Sequence, residues 1–158
     1  MEEKRFYILV PETVQITSTF DNIDLSKTDQ LDTFSEVAVK TVKMSAGRLI
    51  AQAFHIGRKI ENYRVNKFLK ESNGGRLKDH YEEITAIDLS VRNTKELEKV
   101  SNEIDASIDA CSGIFYAEFW DTNSDVYGTT EKVHTATAVG PVTRDELENA
   151  IGHLELYK

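Results

Sequence analysis

Four polar residues, Arg48, Gln52, His55 and Lys59, follow one another at steps of four, three and four in the segment MSAGRLIAQAFHIGRKI. At that spacing a guanidinium, a carboxamide, an imidazole and an ammonium group share one face of a helix. Leu49, Ala53, Ile56 and Ile60 repeat the rhythm one residue later with apolar side chains, which marks the face that packs inward. A carboxylate for the polar stripe stands far away in sequence, where Asp121 closes the apolar run IFYAEFW. In open α/β sheets the functional crevice lies beyond the carboxyl ends of the strands. The MSAGR turn and the WDTNSD segment both map there, so Arg48, Gln52, His55 and Asp121 are expected to form one site. The plainer reading of the stripe is a solvated helix face.

The elements that must position these groups follow from patterning. RFYILV is a short apolar run suited to a buried first strand, and ITAIDLSV (84–91), IFYAEFW and KVHTATAVG supply three more. A helix is expected from Ser45, its cap, to about Leu69, ended by the turn residues Asn73, Gly74 and Gly75. A second spans 93–111, capped by Asn93 or Thr94, with Leu97, Val100, Ile104 and Ile108 inward. A short helix capped by Thr143 and closed at Gly152 ends the chain. The order β-α-β-α-β-β-α predicts a mixed four-stranded α/β sheet covered by helices. Residues 11–42 are β-prone and acidic (Asp21, Asp24, Asp29, Asp32, Glu36), and read as an inserted hairpin or arm after the first strand. With no internal repeat or low-complexity linker, 158 residues read as one domain, 1–158.

Composition narrows the function classes. A hydrophobic fraction of 40% with 29% charged residues suits a folded globular chain. No apolar run approaches the roughly 20 residues of a membrane helix, and MEEKRFYILVPE does not read as a secretory signal, so a cytoplasmic protein without a membrane partner is expected. The single cysteine, Cys111, excludes an internal disulfide and a cysteine zinc site. The net charge of −8 disfavours strong non-specific nucleic-acid binding. Locally the balance reverses: Lys43, Arg48, Arg58, Lys59, Arg64 and Lys67 lie between Lys40 and Lys70 with Glu61 as the only acid. That run reads as a solvated face, with phosphate contacts as the sharper alternative.

Several constellations fail on inspection. Asp121, Asn123 and Asp125 occupy the first, third and fifth places of a calcium loop, but Val126 stands where the sharp turn needs glycine and Lys132 where the bidentate Glu belongs. The histidines (His55, His80, His134, His153) lack metal spacing, and no serine lies in a GxSxG elbow. No metal and no cofactor are expected.

The segment TATAVGPVTRDELENAIGHLELYK resembles the C-terminal signature of type-2 peptidyl-tRNA hydrolases. Ala138-Val139-Gly140-Pro141 and Gly152-His153-Leu154-Glu155-Leu156 match its two ends. The helix start is similar too, with Gly47, Leu49, Ala51, Gln52 and His55 in place, as are LSVRNTKEL after the second strand and Asp121 after the third. The resemblance covers the chain apart from about 11–42. It implies cleavage of the ester joining a peptide to the terminal ribose of tRNA, without metal, with an aminoacyl or other acyl ester as the variant a reshaped site would take. Asp121 would orient or deprotonate the attacking water. Thr135 would hydrogen-bond the reacting group, while Arg48, Gln52 and His55 would hold the acceptor end of the tRNA. Asp125 stands where the family has a second threonine and is assigned to substrate binding. Family lysines are replaced by Ala46 and Ser90, with Arg48 in place of a third.

Two functions are therefore expected as alternatives. One is a peptidyl-tRNA hydrolase-like esterase with a degenerate site. The other is a non-catalytic binding domain on the same fold, meeting a protein partner or a second copy through the insert at about 11–42.

Overall fold

The computed structural model describes residues 3–19, 31–34, 37–71, 86–108, 113–128 and 131–156, and the side chains of these except at 17–19, 31–34, 37–40, 124 and 125. The Asn73-Gly74-Gly75 turn, His80, Cys111, Asp21, Asp24, Asp29 and Glu36 lie outside the described residues, as do the side chains of Asp32 and Asp125. The elements are β1 (Arg5–Thr19), β2 (Leu31–Phe34), β3 (Val37–Lys43), α1 (Ala46–Glu71), β4 (Ala86–Asn93), α2 (Thr94–Ser107), β5 (Phe115–Asp121), α3 (Ser124–Tyr127), β6 (Val133–Val142), a 3₁₀ turn (Asp145–Leu147), α4 (Glu148–Ile151) and β7 (Glu155–Leu156).

The first strand is the spine. Phe6, Ile8 and Val10 are buried toward α1, and Tyr7 and Leu9 toward α2, which is why RFYILV is continuously apolar. Its first half lies parallel to β4, from Phe6↔Ala86 to Thr13↔Asn93, and antiparallel to β6, ending at Leu9↔Thr137. Its second half, Thr13–Thr19, pairs antiparallel with β3, and β3 with β2. The β6 ladder has ended before Pro11 and the β3 ladder has not begun, so the missing proline N–H leaves neither incomplete.

Among the described residues the mixed sheet has seven strands rather than four. The expected β-α-β-α-β-β-α frame is present, but the insert is not an appendage: it prolongs β1 beyond Pro11 and adds β2 and β3 to the same sheet. A two-residue β7 also pairs with β4, at Leu89↔Leu156 and Ser90↔Glu155. Strand pairing over such sequence distances has no local pattern.

Helices cover both faces. Leu49, Ile56 and Ile60 of α1 pack over Ile8, Val10, Ala136 and Ala138, with Ala53 half-buried beside them. Leu97, Val100 and Ile104 of α2, with Leu147, Ala150 and Ile151, close the other face over Leu9, Leu89 and Val139. Each fully buried Leu or Ile contributes about 1.5–3 kcal/mol relative to exposure. The caps follow the sequence. Ser45 Oγ accepts from Arg48 N, and Asn93 Oδ1 from Glu96 N. Thr143 and Glu146 exchange two hydrogen bonds across the last turn. The second helix ends at Ser107, short of 111, where Ile108 turns to extended backbone. Gly140 is required where β6 passes β1: at φ 153° a Cβ would lie 2.7 Å from Arg5 O. No described helix is long and apolar enough to cross a membrane.

Candidate functional site

A bulge between β5 and β6 builds the site. Phe119 pairs with Ala136 and Trp120 with His134, leaving Thr135 as an extra residue in β6. Side chains that would otherwise alternate lose their phase there. Thr135 and Ala136 both face α1, while His134 and Thr137 face α2.

Thr135 is fully buried (0% exposed) and donates its hydroxyl to Gln52 Oε1 at 2.6 Å. Gln52 is itself 4% exposed, and its Nε2 donates to Asp121 Oδ2 at 3.2 Å. The carboxylate can only accept, so the amide nitrogen must face it and the amide oxygen must face Thr135. Asp121 Oδ2 takes a second hydrogen bond from the Tyr127 hydroxyl at 2.9 Å. Asp121 is half-buried, and its Oδ1 has no partner among the described residues. Two side chains, Gln52 of α1 and Tyr127 of α3, thus meet the Asp121 carboxylate of β5 at one oxygen, and Thr135 of β6 supports Gln52 from behind.

The short helix α3 carries Tyr127 inward. Asn123 starts it, accepting from Val126 N through Oδ1 and from Tyr127 N through its carbonyl. This accounts for the calcium-like spacing: Asn123 caps a turn while Asp121 faces Gln52 and Tyr127. Tyr127 is 1% exposed. Burial, reinforced by the Asp121 carboxylate, pushes its phenol well above the usual range, and only the nearby Arg48 charge opposes this. Sequence reading passed over Tyr127, whose one signal is an aromatic six residues after Asp121 in a polar turn.

The polar stripe runs along the edge between α1 and β5, and three of its four residues, Arg48, His55 and Lys59, are exposed as on a solvated face. Only Gln52 is buried. The next turn brings His55, exposed but stacked on Phe119 with ring centroids 4.7 Å apart and planes 15° from parallel. Lys59 then donates to Glu118 O at 2.8 Å and lies over the same Phe119 ring. Arg48, at the start of α1, is exposed and acts electrostatically on Tyr127. The structure therefore joins Asp121, Gln52 and Thr135 by direct hydrogen bonds, brings Arg48 near, and sets His55 one turn away on its own aromatic support. Asp125 contributes its backbone to α3.

Two clefts, of about 440 and 470 Å³, open on the α2 side, both bordered by Arg92, Glu96 and His153. In both, Glu96 is paired with Arg92 and lies beside His153. Burial raises the Glu96 carboxyl, but hydrogen bonds and charge from Arg92, with His153 at 3.8 Å, hold it below its usual range. Ser90 donates to Glu12 at 2.8 Å in the first cleft. Ala46 is the exposed first residue of α1. The Asp121 cluster is the better chemical candidate because its half-buried carboxylate has an oxygen left to act. No protein-family model matches the chain, and no curated protein sequence matches it.

Proposed function

We propose that the chain is a peptidyl-tRNA hydrolase-like esterase, cleaving an acyl ester at the acceptor end of tRNA. The observation that carries this reading is the Asp121 carboxylate, fixed through Oδ2 by Gln52 and Tyr127 while Oδ1 has no described partner. In this reading Asp121 Oδ1 takes a proton from water as the water oxygen attacks the ester carbon. The tetrahedral intermediate then expels the ribose oxygen, which takes that proton from Asp121 as it leaves and restores the carboxylate. Arg48 and the N-terminal turn of α1 meet phosphate, using side-chain charge and unpaired backbone N–H groups. His55, backed by Phe119, offers a flat ring on the edge between α1 and β5. Gln52 and Thr135 serve through Asp121: Gln52 orients the carboxylate and Thr135 orients Gln52. A tRNA ester as substrate implies a cytoplasmic location.

One observation favours the alternative of a binding domain. Thr135 is sealed inside and its hydroxyl is already donated to Gln52, so it is not presented to a reacting group. With Ala46 and Ser90 in place of lysines, that leaves few donors for a developing oxyanion. In this second reading β2 and β3 extend the sheet toward a protein partner or a second copy.

Hydrolysis of N-acylated aminoacyl-tRNA by the purified chain, with Asp121→Asn in parallel, separates the two. Turnover that is lost in a variant with an unchanged melting temperature supports the esterase. Folded protein without turnover at high enzyme concentration supports the binding domain.

A further inference from the structure

Two large apolar side chains, Ile50 and Phe54, stand out from α1 at 66% and 65% exposure. Ile50, Phe54 and Arg58 follow one another at steps of four, so they form a single row along the helix. That row faces away from Leu49, Ile56 and Ile60, which are buried against the sheet. The core therefore accounts for neither Ile50 nor Phe54, and an exposed apolar patch of this kind marks a surface that meets something else.

Aromatic rings continue from this row toward β5. Phe54 meets His55 edge-on, with centroids 6.3 Å apart and planes at 62°. His55 in turn stacks on Phe119, which Lys59 overlies. Cations frame the array. Lys43, Arg48 and Arg58 are exposed and have no carboxylate partner among the described residues. Glu61, the nearest acid along the helix, is paired with Arg64 at 3.4 Å. On a chain of net charge −8, this face is locally positive. Rings interleaved with guanidinium groups suit a ligand that alternates flat and anionic parts, as a single nucleic-acid strand does. Every base has a face that can stack on Phe54, and every phosphate can pair with Arg48 or Arg58. A second copy of the chain fits worse, because it would set Arg48 and Arg58 against the same charges.

We propose that the outer face of α1 binds unpaired nucleotides of an RNA strand. One base stacks on Phe54 beside Ile50, and the flanking phosphates pair with Arg48 and Arg58. The choice of RNA rests on the esterase reading, in which this strand is the 3′ end of a tRNA. The contact itself needs no hydrolysis, and it places a grip on the substrate outside the Asp121 cluster. An intact duplex is the wrong shape for this face, since its bases are stacked on one another and only unpaired ones can be splayed onto a ring.

The full chain is titrated into a fluorescein-labelled, single-stranded RNA hexamer and the anisotropy followed, with a blunt RNA duplex as the comparison. The expected result is saturable binding of the single strand, tighter than that of the duplex. Phe54→Ala should weaken it roughly tenfold, the loss of one stacked base, with the circular dichroism unchanged. Phe54→Trp keeps a stacking surface and should retain the affinity. Arg58→Ala should lower the salt dependence of binding by about one unit of slope, the mark of one phosphate contact. Absence of saturable binding, equal affinity for the duplex, or an affinity that Phe54→Ala leaves unaltered would overturn the proposal. A dimer in sedimentation that Phe54→Glu dissociates would also overturn it, by assigning the face to a second copy. Hydrolysis of acyl-tRNA is scored separately. Turnover without Phe54-dependent binding overturns this inference and spares the esterase; Phe54-dependent binding without turnover does the reverse.

Discussion

Thr135 reaches Gln52 by a 2.6 Å hydrogen bond, although 83 residues of sequence separate them, and this bond fixes which end of the amide meets Asp121. Were the amide reversed, its oxygen would face the carboxylate. The candidate site is therefore oriented from inside the protein, by a hydroxyl that solvent does not reach.

Thr135→Val keeps the shape of the side chain and removes the donor. The buried Gln52 Oε1 is left unpaired, a loss of about 1–3 kcal/mol by urea unfolding. Adding Gln52→Leu should restore part of that stability by removing the orphaned acceptor, because residues in one network do not contribute additively. Ester hydrolysis should fall in Thr135→Val and fall further in the double variant. A double variant less stable than the sum of the single losses would show that the pair is not coupled as drawn.

Tyr127→Phe removes one of the two donors to Asp121 Oδ2. With the ring buried, the expected loss is about 1–2 kcal/mol, and turnover should drop more than substrate affinity. Alkaline pH provides a second readout. Burial and Asp121 keep the folded phenol protonated above about pH 10, where an unfolded tyrosine ionises. Above that pH the unfolded chain binds fewer protons than the native one, so stability falls as pH rises. Tyr127→Phe should flatten this decline only in part, since Tyr116, half-buried and bonded to Glu118, behaves in the same way.

Arg48→Ala tests phosphate contact. Arg48 is exposed, so melting should be unchanged while KM for an acyl-tRNA rises. The salt dependence of binding should lose about one unit of slope, as expected for one phosphate contact. An unchanged slope would remove Arg48 from the substrate surface.

Periodicity made the packing legible: Leu49, Ile56 and Ile60 on α1, and Leu97, Val100 and Ile104 on α2, are buried as their spacing requires. The caps at Ser45 and Thr143 were legible because one side chain and one backbone N–H decide each. Three features were not. The passage of β1 through Pro11 depends on where two distant ladders stop, and β7 depends on partners 65 and 67 residues away. The direction of Thr135 depends on a bulge, which breaks the alternation by which strand faces are read. Gln52 and Asp121 were legible as candidates, since each lies at the edge of a periodic element. Their union into one network was not, because Tyr127 and the bulge complete it.

His134 should make stability depend on pH near neutrality. Burial lowers its folded-state basicity, while an unfolded histidine takes up a proton near pH 6.5. As pH falls through that value the unfolded chain binds the proton and the native state resists it, so the unfolded state gains. The contribution is therefore complete above about pH 6.5 and lost progressively below it. His134→Phe removes the titration while leaving an aromatic ring against Trp120, and Glu118 and Glu98 remain in both proteins. The difference in unfolding free energy between the wild type and His134→Phe, followed from about pH 7.5 to about pH 5, should shift against the wild type as pH falls. A constant difference would mean that His134 carries the same charge in the folded and unfolded chains. Its Nδ1 could then not be the bare acceptor that the geometry at Ala136 and Thr137 requires.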